Sequence, residues 1–283
     1  MKYWLGLLVL VAPIALLSAC EQQPAGEPVV RTELGENGAD ESSPEIVEAP
    51  AADTSEEPQS ASACGPVSFE GNALTHCIAD PARHTIRTVT GPDGGQPFGS
   101  LSAFAKTVEA KEVAFAMNGG AFGDDLRALG YYVEDGARLS ELDRGDGKSN
   151  FYMKPNGVFF GSSGEWRVLA TENFFSNVRD RPQFGTQSGP MLVIDGEMHP
   201  DFSDDGASRA IRHGVGIDTE GRAHFVISDE PISFGKIARY FRDDLETRNA
   251  LLLISNNSAL WDPVTGRLDE GRSGPIIVVE NRE

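Results

Sequence analysis

Val113-Ala114-Phe115-Ala116-Met117-Asn118-Gly119-Gly120-Ala121-Phe122 decides the reading of this chain. An apolar run with strand character, Val113 to Met117, drops directly into Asn-Gly-Gly. Such a junction brings a polar amide and bare backbone N–H groups to the end of a buried strand. Glycine there permits unusual backbone angles and close approach of a ligand. A tight turn after a core strand fits the same residues, so the surrounding sequence has to separate the two readings.

Moving outward, strand-like runs of β-branched and aromatic residues recur between turn residues. They cover 73–78, 84–90, 130–134, 151–154, 158–160, 166–170, 190–194, 213–217, 224–228, 250–254 and 275–279. Asp135-Gly136, Asn156-Gly157 and Asp195-Gly196 read as two-residue hairpin turns, which imply antiparallel neighbours. Two helices are expected: Ser102 capping 103–110, and Ser233 capping 234–246 with Ile237, Phe241 and Leu245 on one stripe. The expectation is an α+β domain, a twisted and largely antiparallel or mixed sheet with a few covering helices.

The N-terminal region is different in kind. Lys2 precedes the apolar run Trp4 to Leu17, which is shorter than the roughly 20 residues of a bilayer span and suits a signal peptide. Leu17-Ser18-Ala19-Cys20 resembles a bacterial lipobox, implying cleavage before Cys20 and lipidation of it. Glu21 rather than Asp in the next position favours the outer membrane, so the expected address is the cell envelope. Residues 21–62 carry eleven acidic side chains against one basic, Arg31, and read as a disordered tether. The chain's formal charge is −19, and the folded part, 63–283, is itself acidic, which argues against a nucleic-acid face. With Cys20 assigned to lipid, Cys64 and Cys77 remain as an even pair, expected as a disulfide in an oxidising compartment.

Several catalytic motifs are missing from the sequence: His-Glu-x-x-His, a Walker loop, Gly-x-Gly-x-x-Gly and Gly-x-Ser-x-Gly. Other segments accompany Asn118-Gly119-Gly120. They are Gly130 to Gly136, Asn150-Phe151 with Lys154 to Phe160, Gln187 to Val193, and Arg209 to Asp218. In this order and spacing the set resembles the phosphodiester glycosidase domain family, from about Phe69 to about Val279. The resemblance implies hydrolysis of a sugar phosphodiester or a related envelope glycan linkage. Asn118, Gly119 and Gly120 would meet the substrate, and Arg212 would meet the phosphate, for which a guanidinium fork is suited. Arg209 is a second basic candidate. Asp218 reads either as the catalytic carboxylate or as a residue of the Asp-Thr-Glu-Gly turn. Gln187, Ser188 and Gly189 are candidate hydrogen-bonding residues from a loop, joined by Asn150, Asn256 and Asn257.

One element departs from the family pattern. Where family members carry Leu-Asp-Gly, this chain has Leu253-Ile254-Ser255. Glycosidic cleavage ordinarily uses paired carboxyl groups, so a second reading is a non-catalytic glycan- or phosphoglycan-binding lipoprotein. Nothing in the sequence requires a cofactor, and a divalent metal stays open.

Overall fold

The computed structural model describes residues 61–92, 95–254 and 257–282, which fall in one compact unit. The signal segment, Cys20, nearly all of the 21–62 tether, Ser255 and Asn256 lie outside the described residues.

Val113–Asn118 is a strand with every residue buried, so its unbroken apolar run reflects cover on both faces. It lies in a five-stranded sheet ordered Arg267–Leu268, Leu260–Asp262, Val113–Asn118, Ile276–Asn281, His84–Val89. A seven-stranded sheet runs Cys64–Phe69, Asn72–Ala79, Ala223–Ser228, His213–Ile217, Asn249–Leu252, Met191–Ile194, Glu197–Met198. The third, five-stranded, runs Ala137–Ser140, Tyr132–Glu134, Phe184–Ser188, Gly157–Ser162, Glu165–Ala170. The pairings described are antiparallel, down to the small ribbon of Arg209–Ala210 with Ile232–Ser233. The architecture is therefore mostly antiparallel β with few helices, the described strands forming three larger sheets and one two-stranded ribbon in place of a single sheet.

The sheets share a core in which Phe115, Phe159, Phe184 and Phe225 meet edge-on, with ring centroids 5.2–5.7 Å apart. Such contacts add to the gain from burying large rings. The outer face of the seven-stranded sheet is covered by the helix Phe234–Arg239 and the π-helical turn Tyr240–Asp244 that continues it. The Ser233 hydroxyl caps this helix by accepting from Lys236 N, and Ile237 and Phe241 are fully buried, as their spacing predicts. The Cys64–Cys77 disulfide joins the first two strands of the same sheet.

Four local expectations are corrected. Residues 151–154 form no strand; Asn150–Tyr152 is a 3-10 turn. Asn156-Gly157 is no hairpin. Gly157 starts a strand, where a Cβ would come within 2.4 Å of the Met191 sulfur, and the Asn156 side chain donates to Phe151 O. The glycine serves close packing there. The first helix is shorter, Leu101–Ala105, and its cap is Ser100, not Ser102. The second ends its α-helical part at Arg239. By contrast Asp135-Gly136 and Asp195-Gly196 both have positive φ at both residues and do turn hairpins.

Candidate functional site

Asn118 ends its strand fully buried. Its Nδ2 donates to Ser273 Oγ at 2.8 Å and to Arg272 O at 3.4 Å, while its Oδ1 has no partner among the described residues. A buried acceptor left unpaired costs about 1–3 kcal/mol, so it marks a place where something is asked for. The Asn118 carbonyl lies 3.2 Å from His213 Nε2, and His213 Nδ1 lies 2.9 Å from Ser258 Oγ. Burial lowers the His213 pKa to about 4, so the ring is neutral at ordinary pH.

The glycines play another part. Gly119 N donates to Pro275 O at 2.7 Å and Gly120 N to Thr186 Oγ1 at 3.0 Å. These N–H groups are engaged inside the protein, contrary to the expectation that they face a ligand. A Cβ on Gly120 would sit 2.2 Å from Gln187 O, so glycine is needed to let two segments touch.

Gln187 is likewise occupied. Its Oε1 accepts from Tyr131 N and Asp143 N, both at 2.9 Å, and its Nε2 donates to Asp143 O and Thr171 Oγ1. It pins two loops to the Phe184–Ser188 strand and has little capacity left for a substrate. Ser188 Oγ accepts from Ile254 N at 2.8 Å. Gly189 packs on Asn156, where a Cβ would be 2.6 Å from the Asn156 Cβ. These three residues build the framework behind the site.

Arg212 is 6% exposed. Its Nε donates to Ile232 O at 2.9 Å, and one Nη donates to Ser208 O and Oγ, both at 3.1 Å. Its guanidinium lies 3.5 Å over the Phe234 ring. That ring stacks on Phe202 at 4.9 Å, and Phe202 stacks on His199 at 4.6 Å. Among the described residues no carboxylate pairs with Arg212, and its Nη1 meets no acceptor. Burial alone lowers its pKa to about 10. A buried cation without a counter-ion is costly unless an anion completes it.

Arg212 and Asn118 are close along the structure but lie on opposite sides of one strand. His213 faces Asn118, whereas Arg212 points to the helix-covered face, the side on which Cβ atoms at Gly214 and Gly216 would meet Phe241. Successive side chains on a strand alternate in this way. The two candidates share the strand's end without touching.

Asp218 lies at the strand's other end, in the turn to Ala223–Ser228. Its Oδ1 accepts from Glu220 N and Arg222 N, and its Oδ2 accepts from Arg222 Nε at 2.7 Å and from His224 Nε2 at 2.9 Å. His224 Nδ1 in turn lies 2.9 Å from His76 Nε2. The structure does not bring Asp218 to the Asn118 cluster, and the turn reading holds for it. Arg209 is exposed and paired with Asp205 at 2.6 Å. Asn150 is exposed on its 3-10 turn, and Asn257 Nδ2 donates to Glu270 O at 2.8 Å. His213, Ser258, Ser273 and Ser208, which the sequence reading passed over, do most of the connecting. His213 stood beside Arg212 in the quoted motif, and strand alternation was the available signal.

A cavity of about 720 Å³ opens elsewhere, beside Thr90, Arg127, Leu129, Tyr132 and Glu134, and none of the expected site residues lines it. Burial raises the Glu134 carboxyl pKa. Among the described residues no cluster of three or more His, Cys, Asp or Glu side chains could hold a metal ion.

Comparison with known proteins agrees with this architecture. The phosphodiester glycosidase family profile matches residues 111–253, the segment that runs from the Asn118 strand to Leu253. The uncharacterized protein YigE of Escherichia coli (strain K12) is 30% identical over 183 residues, covering 64% of this chain and 71% of that protein. The chain belongs to the phosphodiester glycosidase family. Among solved structures, the catalytic domain of zebrafish N-acetylglucosamine-1-phosphodiester alpha-N-acetylglucosaminidase, auto-inhibited by its pro-peptide, superposes with TM-score 0.53 at 14% identity, over 77% of this chain and 82% of that one. A putative exported protein of Burkholderia pseudomallei K96243 gives TM-score 0.50 at 10% identity, with 74% of each chain covered. At these identities the two structures attest the fold.

Proposed function

We propose that this chain is an envelope-anchored hydrolase of a glycosyl phosphodiester, held to the membrane through lipid on Cys20 and carried on the acidic 21–62 tether. The observation that carries the reading is Arg212: a buried guanidinium, stacked and oriented, with no carboxylate partner among the described residues. A phosphodiester supplies the single negative charge and the oxygen acceptors that such a group lacks. Family membership supports the same substrate class. Asn118, with its unpaired Oδ1, is the candidate for a sugar hydroxyl or amide donor. Asp218 has no part in this reading, because its carboxylate is fully engaged at the far end of the strand.

The test is release of free sugar from methyl glycosyl-1-phosphates of glucose and N-acetylglucosamine by the purified chain. Turnover no greater than that of a heat-denatured sample across the panel refutes hydrolysis. A second reading, a glycan- or phosphoglycan-binding lipoprotein, draws on Ile254. That residue stands at the family's aspartate position, packs against the apolar cluster under the helix, and ties its N–H to Ser188. Calorimetric binding of the same diesters without turnover would select it.

A further inference from the structure

We infer that Ser258 is a nucleophile toward phosphorus, with His213 as its base and the Asn118 carbonyl fixing the orientation of that base. The assignment rests on the phosphodiester reading for its substrate, and on hydrogen-bond geometry alone for the nucleophile. A backbone carbonyl only accepts, so the contact between Asn118 O and His213 Nε2 places the ring proton on Nε2. In the neutral ring Nδ1 then carries a lone pair, and that lone pair faces Ser258 Oγ at 2.9 Å. The Ser258 hydroxyl has one proton and two acceptors, His213 Nδ1 and Ile211 O at 3.0 Å. That proton can lie toward Ile211 O or toward His213 Nδ1, and rotation about the Cβ–Oγ bond brings it onto the base. Burial, which keeps His213 neutral, also keeps it able to accept. Nucleophile, base and orienting group stand in a chain of hydrogen bonds, the arrangement that activates a weak hydroxyl nucleophile.

Two further features bear on access and chemistry. His213 is fully enclosed, but Ser258 is half-buried and its neighbour Ile211 is 39% exposed, so the oxygen lies toward the surface. The unpaired Oδ1 of Asn118, on the residue whose carbonyl holds His213, independently points to a missing donor at this cluster. Among the described residues no carboxylate bonds to Asn118, His213, Ser258 or Ser273. Attack on the anomeric carbon relies on carboxyl groups to support an oxocarbenium-like centre. Attack on phosphorus starts from a nucleophile and a base, which Ser258 and His213 offer, while the Arg212 guanidinium lies on the other face of the strand.

Ser258 Oγ bonds to phosphorus while its proton passes to His213 Nδ1. The bond between phosphorus and the sugar oxygen breaks, and that oxygen takes the proton from His213, leaving as free sugar. Water then attacks the phosphoseryl group, giving its proton to His213 Nδ1. The bond from phosphorus to Ser258 Oγ breaks and Oγ is reprotonated, releasing a phosphate monoester. One water is consumed.

Two measurements on the full chain test this. The first is labelling by a fluorophosphonate probe, which needs a nucleophilic hydroxyl and no glycosyl substrate. Peptide mass mapping should find the adduct on Ser258, with none in Ser258→Ala and at least tenfold slower labelling in His213→Gln. Absence of an adduct on Ser258 in folded protein overturns the assignment. The second is hydrolysis of a methyl glycosyl-1-phosphate in ¹⁸O-water, which should place the label in the phosphate monoester. Ser258→Ala should lose at least about 10³-fold in rate per folded molecule. Label in the sugar overturns attack at phosphorus, and Ser258→Ala turning over like wild type overturns Ser258 as the nucleophile, each leaving the hydrolase reading intact. An adduct on Ser258 without turnover of any diester upholds the nucleophile and refutes the hydrolase reading instead.

Discussion

The two ends of the His213–Ile217 strand are built from the same kinds of residue and have opposite character. At one end stand Arg212, His213 and Asn118, at the other Asp218, Arg222, His224 and His76. The Asp218 end is closed. Each carboxylate oxygen takes two donors, and burial, which would raise its pKa, is outweighed by the hydrogen bonds from His224 and Arg222, leaving it lowered to about 2. The Arg212 end is open: among the described residues its buried cation has no anion and the buried Asn118 acceptor has no donor. A perturbed pKa is common to both ends and separates neither. Unfilled hydrogen-bonding capacity is the feature that distinguishes a site from a structural cluster here.

Acid should act on both ends, and this is the largest effect expected. His213 and His76 each have a folded pKa lowered to about 4 from 6.5, chiefly by burial. The unfolded chain therefore binds protons first as pH falls. Their full contribution is present above about pH 6.5 and is lost as pH drops toward 4, on the order of 3 kcal/mol for each. His84 and His199, also lowered by burial, act in the same direction. Denaturant melts between pH 7 and 4 should show stability falling with a slope of about two protons or more. A flat profile would mean that these rings open to water in solution. His76→Gln should reduce that slope by about one proton and leave any turnover per folded molecule unchanged.

Asp218→Ala comes next. Removing a largely buried carboxylate strands Arg222, His224 and two turn N–H groups together, at a cost of about 3 kcal/mol. For a domain of this size that is a fall of roughly 6–12 °C in Tm. Diester binding or turnover per folded molecule should persist. Its loss in protein that remains folded would return Asp218 to the site and erase the contrast between the two ends.

How much of this contrast was legible in the sequence depends on how local its causes are. The Asp-Gly hairpins, the Ser233 cap and the buried stripe of Ile237 and Phe241 were legible, because turn chemistry and helical period act over a few residues. Phe184–Ser188 was not read as a strand, since Gly185, Thr186 and Gln187 look like loop. It is buried because Thr186 and Gln187 find their partners inside the protein, at Gly120, Tyr131, Asp143 and Thr171. Asp218 was ambiguous for a similar reason. The histidine pair that finishes its network joins residues 148 positions apart. Family resemblance pointed to this strand end, but only the alternation of Arg212 and His213 explains why one reaches a helix and the other Asn118.

Arg212→Lys sharpens the open end. If a phosphate completes the guanidinium, the ammonium keeps the charge yet loses the fork and the stacking on Phe234. Losing a charge-assisted hydrogen bond costs about 1.5–3 kcal/mol, which is roughly ten- to over a hundred-fold in affinity for a glycosyl phosphodiester. Calorimetry on the folded variant reads this. Affinity equal to wild type would make Arg212 a framework residue that holds the 199–208 loop through Ser208.

The smallest effect belongs to the other arginine, and its smallness is the point. Arg222 pairs with Asp218 at 2.7 Å, but its side chain is 38% exposed, so water and salt screen the pair. Arg222→Gln keeps its own backbone N–H on Asp218, together with those of Glu220 and the His224 ring. The expected loss is about 0.5–1 kcal/mol at low ionic strength, read as a fall of roughly 1–4 °C in Tm that shrinks as salt is added. Ligand affinity should not move. A loss of several kcal/mol, insensitive to salt, would show that the exposed cation holds the Asp218 turn together. His224 and the backbone would then be secondary, and the closed end would depend on a single surface residue as the open end depends on Arg212.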